Sequence, residues 1–229
     1  METDELIEVL DGYRSGRIPH DDALKTLWSS VRDAPLENVE TTLALLRVAG
    51  DAVIAGLLSD LDERLRNRTA VLSQIDEAFQ PDRWPAPEPI VLGPGHDEET
   101  QDAVRLGNGR WDELFRAGAF ETLQWTIPLL PESMFVSLLP GFLKLVLVDS
   151  RVDWLWVVNT ITPPWPAGTP PVLLKDLGRL DPAQRQTVVG FLDWLTDTQE
   201  MKLNVRRRVE AIRAALATGD AATPDRRGG

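Results

Sequence analysis

The sequence contains no cysteine, and this absence excludes disulfide bonds, thiolate metal sites and a thiol nucleophile. No G-x-S-x-G motif is present either, so the nucleophile turn of serine hydrolases is missing as well. The chain does not open with a basic-then-apolar segment, so we expect no secretory signal and a cytoplasmic location. The apolar fraction of 43% is nevertheless ample for a buried core.

A long uninterrupted apolar run is also missing. The most apolar stretch, residues 123–148, contains three prolines together with Glu132 and Lys144, whereas a membrane-spanning helix needs about 20 apolar residues without a break. We therefore expect no membrane association and interpret this stretch as a buried helical pair at the centre of a core. Pro131 suits the first turn of a helix, and Pro140 either kinks that helix or starts a new one.

Positive charge is scarce, because 24 lysines and arginines face 36 aspartates and glutamates, for a net charge of -12. A nucleic-acid-binding surface needs basic residues to replace counterions, so this balance opposes binding to nucleic acid. The charge is compatible with a basic protein partner, since opposite fields speed encounter. Solubility alone is the other explanation of the charge.

Apolar residues at helical spacing dominate the first third of the chain. They predict a helix over Thr3–Arg14, ended by Gly16, and a second helix that begins after Pro19, with acidic residues near its start. A third helix is predicted from Pro35. A long pattern over residues 51–79 has a polar patch at 64–69, for which we expect a solvated middle. No alternation typical of strands appears in this half.

The rest of the chain is organised by proline. Residues 80–96 hold five prolines and predict an extended strap. Further helical patterns follow, and Asp181 with Gln184 predicts a capping box at the start of one of them. The fold class predicted is all-α: a multi-helix bundle with an N-terminal helical hairpin region (1–79), the strap (80–96), a C-terminal helical domain (97–218) and a disordered tail (219–229).

Several motifs of the second half stand in a distinctive order: an acidic helix start at Asp97, the run Gly109-Arg110-Trp111, the proline-led LLPESMF, the run LPGFL at 139–143, and LDPAQRQTVVGFLDWL. In this order, residues 89–196 resemble a family of bacterial domains of unknown function. Aromatic residues, often paired tyrosines, usually precede the Leu-Pro pair in that family. Here Ser137 and Leu138 stand in those places, so no role of a tyrosine hydroxyl is carried over. The resemblance implies a fold more than a function.

Clusters that suggest chemistry have simpler explanations. His20 precedes two aspartates, and His96 precedes an aspartate and two glutamates. Adjacent residues on a helix point in different directions and cannot all reach one ion, and acids at a helix start complement its dipole. The run Gly93-Pro94-Gly95 lacks the lysine and serine of a phosphate loop. We therefore predict no metal site and no cofactor.

The candidate surface or cleft residues are carboxylates and tryptophans beside the apolar stretch. Paired acids in an apolar cleft have raised pKa values and are candidates for acid–base chemistry. We expect the segment 97–111 and the proline-rich loop around Trp165 to meet there. The candidates are Glu98, Glu99, Asp102, Trp111 and Trp165.

Three functions are consistent with these observations. The first is a non-enzymatic protein-binding module, an immunity or accessory protein for a basic bacterial partner, favoured by the negative charge, the eight tryptophans and the missing catalytic set. The second is a structural helical subunit of a larger assembly. The third is an enzyme that uses carboxylates near Trp111. The sequence predicts no oligomeric state.

Overall fold

A computed structural model of the chain describes residues 3–33, 44, 47, 52–84, 101, 104–105, 108–120, 132–149, 152–161, 177–178, 180–199 and 201–218. Within these residues it contains helices and no strand, which confirms the predicted all-α, multi-helix class. The helices are α1 (Thr3–Arg14), α2 (His20–Asp33), α3 (Ala55–Ala78), α4 (Trp111–Arg116), α5 (Glu132–Val148), α6 (Trp154–Ile161), α7 (Pro182–Thr198) and α8 (Leu203–Thr218). Residues 44 and 47 are helical, but the rest of the helix predicted from Pro35 lies outside the described residues. Most of the strap and the tail lie outside them as well.

The chain divides into two compact units. Unit 1 comprises Met1–Ala70 with Leu147–Arg151, and unit 2 comprises Val71–Val146 with Val152–Gly229. The domain boundaries expected after residues 79, 96 and 218 stay a prediction.

Unit 1 contains α1 and α2, which pack together as a helical hairpin. Gly16 lies between them with φ +71, a left-handed conformation that glycine adopts without a steric penalty. Ile18 packs so closely on Gly12 that a Cβ there would lie 2.5 Å from its Cδ1. The buried side chains of this unit come from α1, α2, the turn before α3 and the first part of α3: Leu10, Leu24, Leu27, Trp28, Val31, Ile54, Leu57, Leu61 and Leu65.

The middle of α3 was expected to be solvated, and this expectation is wrong for the polar residue Arg68. Arg68 is 1% exposed, although Arg66 and Asn67 beside it are exposed. The helical period explains this, since Arg68 follows the buried Leu65 by three residues and therefore lies on the same face. Its guanidinium carbon lies 6.0 Å from the centroid of the Trp28 ring, at the outer limit of a cation–π contact.

Unit 2 is built around α5, which is a single helix with Pro140 inside it. The alternative in which Pro140 starts a second helix is therefore wrong. The helix is buried nearly all round, as the apolar pattern predicts. Its fully buried side chains in unit 2 include Met134, Phe135, Leu138, Leu139, Phe142, Leu143 and Val146.

An aromatic cluster fixes the segment after α4 against α5. The Phe120 ring meets the Phe142 ring edge-on, with centroids 4.8 Å apart, and Phe142 stacks on Phe135 at 5.5 Å. Phe120 also lies over Gly141, where an added Cβ would meet three ring atoms, with Cε1 at 2.7 Å and Cζ closer still. Gly141 is therefore the residue that lets the Phe120 ring contact the backbone of α5.

The start of α7 confirms the predicted capping box. The Asp181 carboxylate accepts a hydrogen bond from the backbone N–H of Gln184 at 2.9 Å, and the Gln184 side chain accepts one from the backbone N–H of Asp181 at 3.0 Å. Helix α8 packs on α7. The buried side chains of α8 share one face of the helix: Val205, Val209, Ile212 and Leu216. An ion pair between Arg213 and Asp193 joins the two helices at their surface.

Candidate functional site around Trp111 and Lys144

Of the five candidate residues, the structure describes Trp111. It is the first residue of α4 and is 4% exposed. Glu98, Glu99, Asp102 and Trp165 lie outside the described residues, so their expected meeting with Trp111 stays a prediction. The contacts of Trp111 within unit 2 are therefore the part of the candidate site that the structure describes.

Lys144 is the charged centre of these surroundings. Its Nζ donates to Asp76 on α3, at 2.8 Å from Oδ1 and 3.1 Å from Oδ2. The same ammonium lies 5.6 Å from the centroid of Trp111 and 5.2 Å from the centroid of Phe115. We call these four residues, Lys144, Asp76, Trp111 and Phe115, the lysine cluster.

The local sequence explains how the lysine cluster forms. Trp111 and Phe115 are four residues apart on α4 and therefore share one face of the helix. Lys144 is the basic residue of α5 in an otherwise buried stretch, and its side chain is 17% exposed. A lysine stem packs well along apolar surface while its head reaches a polar partner. The cluster thus ties α3, α4 and α5 together within unit 2.

A second charged network lies beside it at the start of α4. Asp112 accepts from Arg110 Nε at 3.2 Å and from Arg116 at 2.6 Å. Partial burial acts to raise the pKa of Asp112, but the hydrogen bonds and charges of the two arginines outweigh it and lower this pKa below its ordinary value. Asp82 lies 3.6 Å from the Arg110 guanidinium and extends the network.

The chemistry of this arrangement is that of an anchored ionic network. A general acid or base works best with a pKa near the operating pH, which for a carboxyl group means a raised value. Asp112 has the opposite shift and stays ionised. The one polar atom left over is the Nε1 of Trp111, which is buried and has no hydrogen-bond acceptor among the described residues. An unsatisfied buried donor costs roughly 1–3 kcal/mol.

Unit 1 holds a chain of polar contacts that the sequence does not predict. His20 Nε2 lies 2.9 Å from Asp60 Oδ2, and His20 Nδ1 lies 3.1 Å from the Tyr13 hydroxyl. The sequence places His20 beside Asp21 and Asp22, yet the structure pairs it with residues of α1 and α3. Asp60 is 40 residues away, and no local signal in the sequence connects the two.

Among the described residues, no group of three or more histidine, aspartate or glutamate side chains is placed to hold a metal ion. None of the helices described there has the length and apolar character needed to cross a membrane.

Comparison of the chain with family models, with curated proteins and with solved structures gives no match. The resemblance of residues 89–196 to a bacterial domain family therefore stays a proposal.

Proposed function

We propose that this chain is an acidic, non-enzymatic protein-binding module that takes a basic bacterial protein as its partner, in the manner of an immunity or accessory protein. The net charge of -12 supports this proposal. A negative surface attracts a basic partner and speeds its association, and the effect is largest where carboxylates are concentrated on one surface.

The observation that carries the proposal is a concentration of carboxylates on unit 1. The His20–Asp60 contact brings the start of α2 beside the second turn of α3. Asp21 and Asp22 are exposed next to His20, and Glu63 is exposed one turn from Asp60. We call Asp21, Asp22, Asp60 and Glu63 the acidic face. Within the described part of the chain, Asp21, Asp22 and Glu63 form no ion pair, so these three are available to a partner's lysines and arginines.

The charged groups that the structure describes around Trp111 have structural partners. Lys144 is held by Asp76 and two rings, and Asp112 is held by two arginines that lower its pKa. Groups anchored in this way stabilise the packing of α3, α4 and α5 within unit 2.

A structural subunit of a larger assembly is the second candidate. Three large apolar side chains among the described residues are strongly exposed: Ile7 at 48%, Val53 at 56% and Leu203 at 65%. Single exposed apolar residues are normal on a protein surface. In a larger assembly, another subunit would cover these side chains and remove them from water.

Co-purification from native lysate at physiological salt tests the proposal. We expect the wild-type chain to retain a basic protein, and the variant Asp22→Asn/Glu63→Gln to lose it. The matched control is Glu77→Gln/Asp197→Asn, which removes the same charge from exposed carboxylates of unit 2. Recovery of a monomer without a partner contradicts the proposal.

A further inference from the structure

The outward face of α8 carries a stripe of exposed residues. Five of them follow one another at intervals of four, three, four and three, which keeps them on one side of the helix: Leu203, Arg207, Glu210, Ala214 and Ala217. Two helices that pack along a narrow seam meet through residues spaced in this way. The opposite face of α8 is already buried against α7, so the seam is a second, separate contact face.

The seam is complementary to itself when two copies run antiparallel. Two pairs of seam residues share one midpoint in the sequence, the peptide bond between residues 208 and 209. The pairs are Leu203 with Ala214 and Arg207 with Glu210. An antiparallel two-fold pairing about this point places each arginine opposite a glutamate and each leucine opposite an alanine. In a two-fold contact residue i meets j and j meets i, so both pairings occur twice.

We propose that α8 is a homodimerisation helix, which packs through this seam, antiparallel, on α8 of a second copy of the chain. This inference is independent of the basic partner proposed above, since it concerns a different helix and a different unit.

Charge and size both favour a second copy as the occupant. Within the described residues Arg207 and Glu210 form no ion pair, so each is available to its counterpart. The two charges cancel across the seam, and the dimer contact therefore adds no repulsion of its own to two chains of net charge -12. Alanines at two of the five positions permit a close approach of the helix axes, about 8 Å. Leu203, 65% exposed in one chain, covers Ala214 of the other.

The length of α8 limits the area that the dimer can bury and therefore its affinity. At 1.5 Å per residue, a 16-residue helix is about 24 Å long. One helix pair of this length buries less than the roughly 1,200–2,000 Å² of a stable interface. The dimer is therefore reversible, with a dissociation constant of about micromolar or weaker.

Sedimentation velocity over a range of concentrations tests the charge pairing. Wild type is expected to shift from monomer to dimer. Arg207→Glu and Glu210→Arg each set like charges against each other twice and are expected to weaken the dimer at least roughly tenfold. The double variant Arg207→Glu/Glu210→Arg restores opposite charges and is expected to restore the dimer. Arg206→Glu makes the same charge change one residue off the seam and is the control.

Three results of that experiment overturn the proposal: a wild-type chain that stays monomeric at the highest concentration, a double variant that does not recover, or an Arg206→Glu variant as defective as Arg207→Glu. Far-UV circular dichroism of each variant shows whether the helices remain, and the recovery of the double variant separates lost pairing from lost folding.

Cysteine cross-linking tests the relative direction of the two helices. Because the sequence has no cysteine, each variant carries a single thiol at a known position. A disulfide needs Cα atoms within about 7 Å. A mixture of Leu203→Cys and Ala214→Cys chains is expected to cross-link between the two variants. Leu203→Cys alone is expected not to, because antiparallel helices hold the two copies of residue 203 roughly 16 Å apart. Cross-linking of Leu203→Cys with itself overturns the antiparallel arrangement.

Discussion

The contact between Phe120 and Gly141 makes the clearest energetic prediction. The substitution Gly141→Ala adds one methyl group to the middle of α5. That methyl would meet three atoms of the Phe120 ring, with Cε1 at 2.7 Å and Cζ closer. The Phe120 ring is fully buried. It packs edge-on against the Phe142 ring, and the two ring centroids lie 4.8 Å apart. The ring therefore cannot move aside without displacing the rest of the aromatic cluster.

Two opposing effects set the size of the change. Overpacking a core costs about 1–3 kcal/mol, and the tight approach of three ring atoms places Gly141→Ala at the upper end. Alanine in place of glycine inside a helix contributes about 1 kcal/mol in the other direction. The net expectation is a loss of about 2 kcal/mol in the free energy of unfolding.

Urea unfolding followed by circular dichroism measures this loss as a lower midpoint at an unchanged slope. Gly56→Ala is the control, since Gly56 lies in α3 with nothing within 4 Å of an added Cβ. It is expected to leave stability unchanged or raise it by up to about 1 kcal/mol.

A double-mutant cycle shows whether the ring is the cause. Phe120→Ala alone is expected to cost about 3–5 kcal/mol. In the double variant the new methyl group occupies space that the ring has left, so the combined cost is expected to be at least about 1 kcal/mol smaller than the sum. Additive costs, or a Gly141→Ala variant as stable as wild type, refute the reasoning.

Three further predictions concern caps and charges. Asp181→Ala removes the capping box of α7 and is expected to cost about 1 kcal/mol, read from the thermal midpoint; an unchanged midpoint contradicts it. Lys144→Met keeps an unbranched apolar stem but loses the ion pair with Asp76 and the ammonium contacts with both rings. The free energy of unfolding, measured with urea, is expected to fall by roughly 1 kcal/mol. A double-mutant cycle with Asp76→Asn that shows no coupling contradicts the role of the ion pair. The lowered pKa of Asp112 means that its contribution is present above the ordinary value of 3.8 and is lost as pH falls through the lower folded value. The stability difference between wild type and Asp112→Asn is therefore expected to shrink below about pH 4, and a difference independent of pH contradicts it.

The elements that the sequence predicted well are those with local signals. The bounds of α1 follow from apolar spacing and the stop at Gly16, and the start of α7 follows from Asp181, Pro182 and Gln184. Each of these signals lies within a few residues of the boundary it sets. Hydrogen bonds and steric effects within one helical turn are sufficient to produce them.

Contacts between distant residues could not be predicted in this way. Lys144 and Asp76 are 68 residues apart, and His20 and Asp60 are 40 residues apart. Each pair depends on how helices pack, which the helical periodicity of one segment does not determine. The burial of Arg68 illustrates the same limit, because its polarity predicted exposure while its position on α3 placed it with Leu65.

The proposed binding of a basic protein to the acidic face of unit 1 is tested most directly by isothermal titration calorimetry with the co-purified partner. The affinity is measured for wild type, for Asp22→Asn/Glu63→Gln and for the control Glu77→Gln/Asp197→Asn. Asp22→Asn/Glu63→Gln is expected to weaken the affinity at least roughly tenfold, or about 1.4 kcal/mol. The control is expected to bind as tightly as wild type. Equal affinities for all three proteins, or no partner to titrate, would contradict the claim.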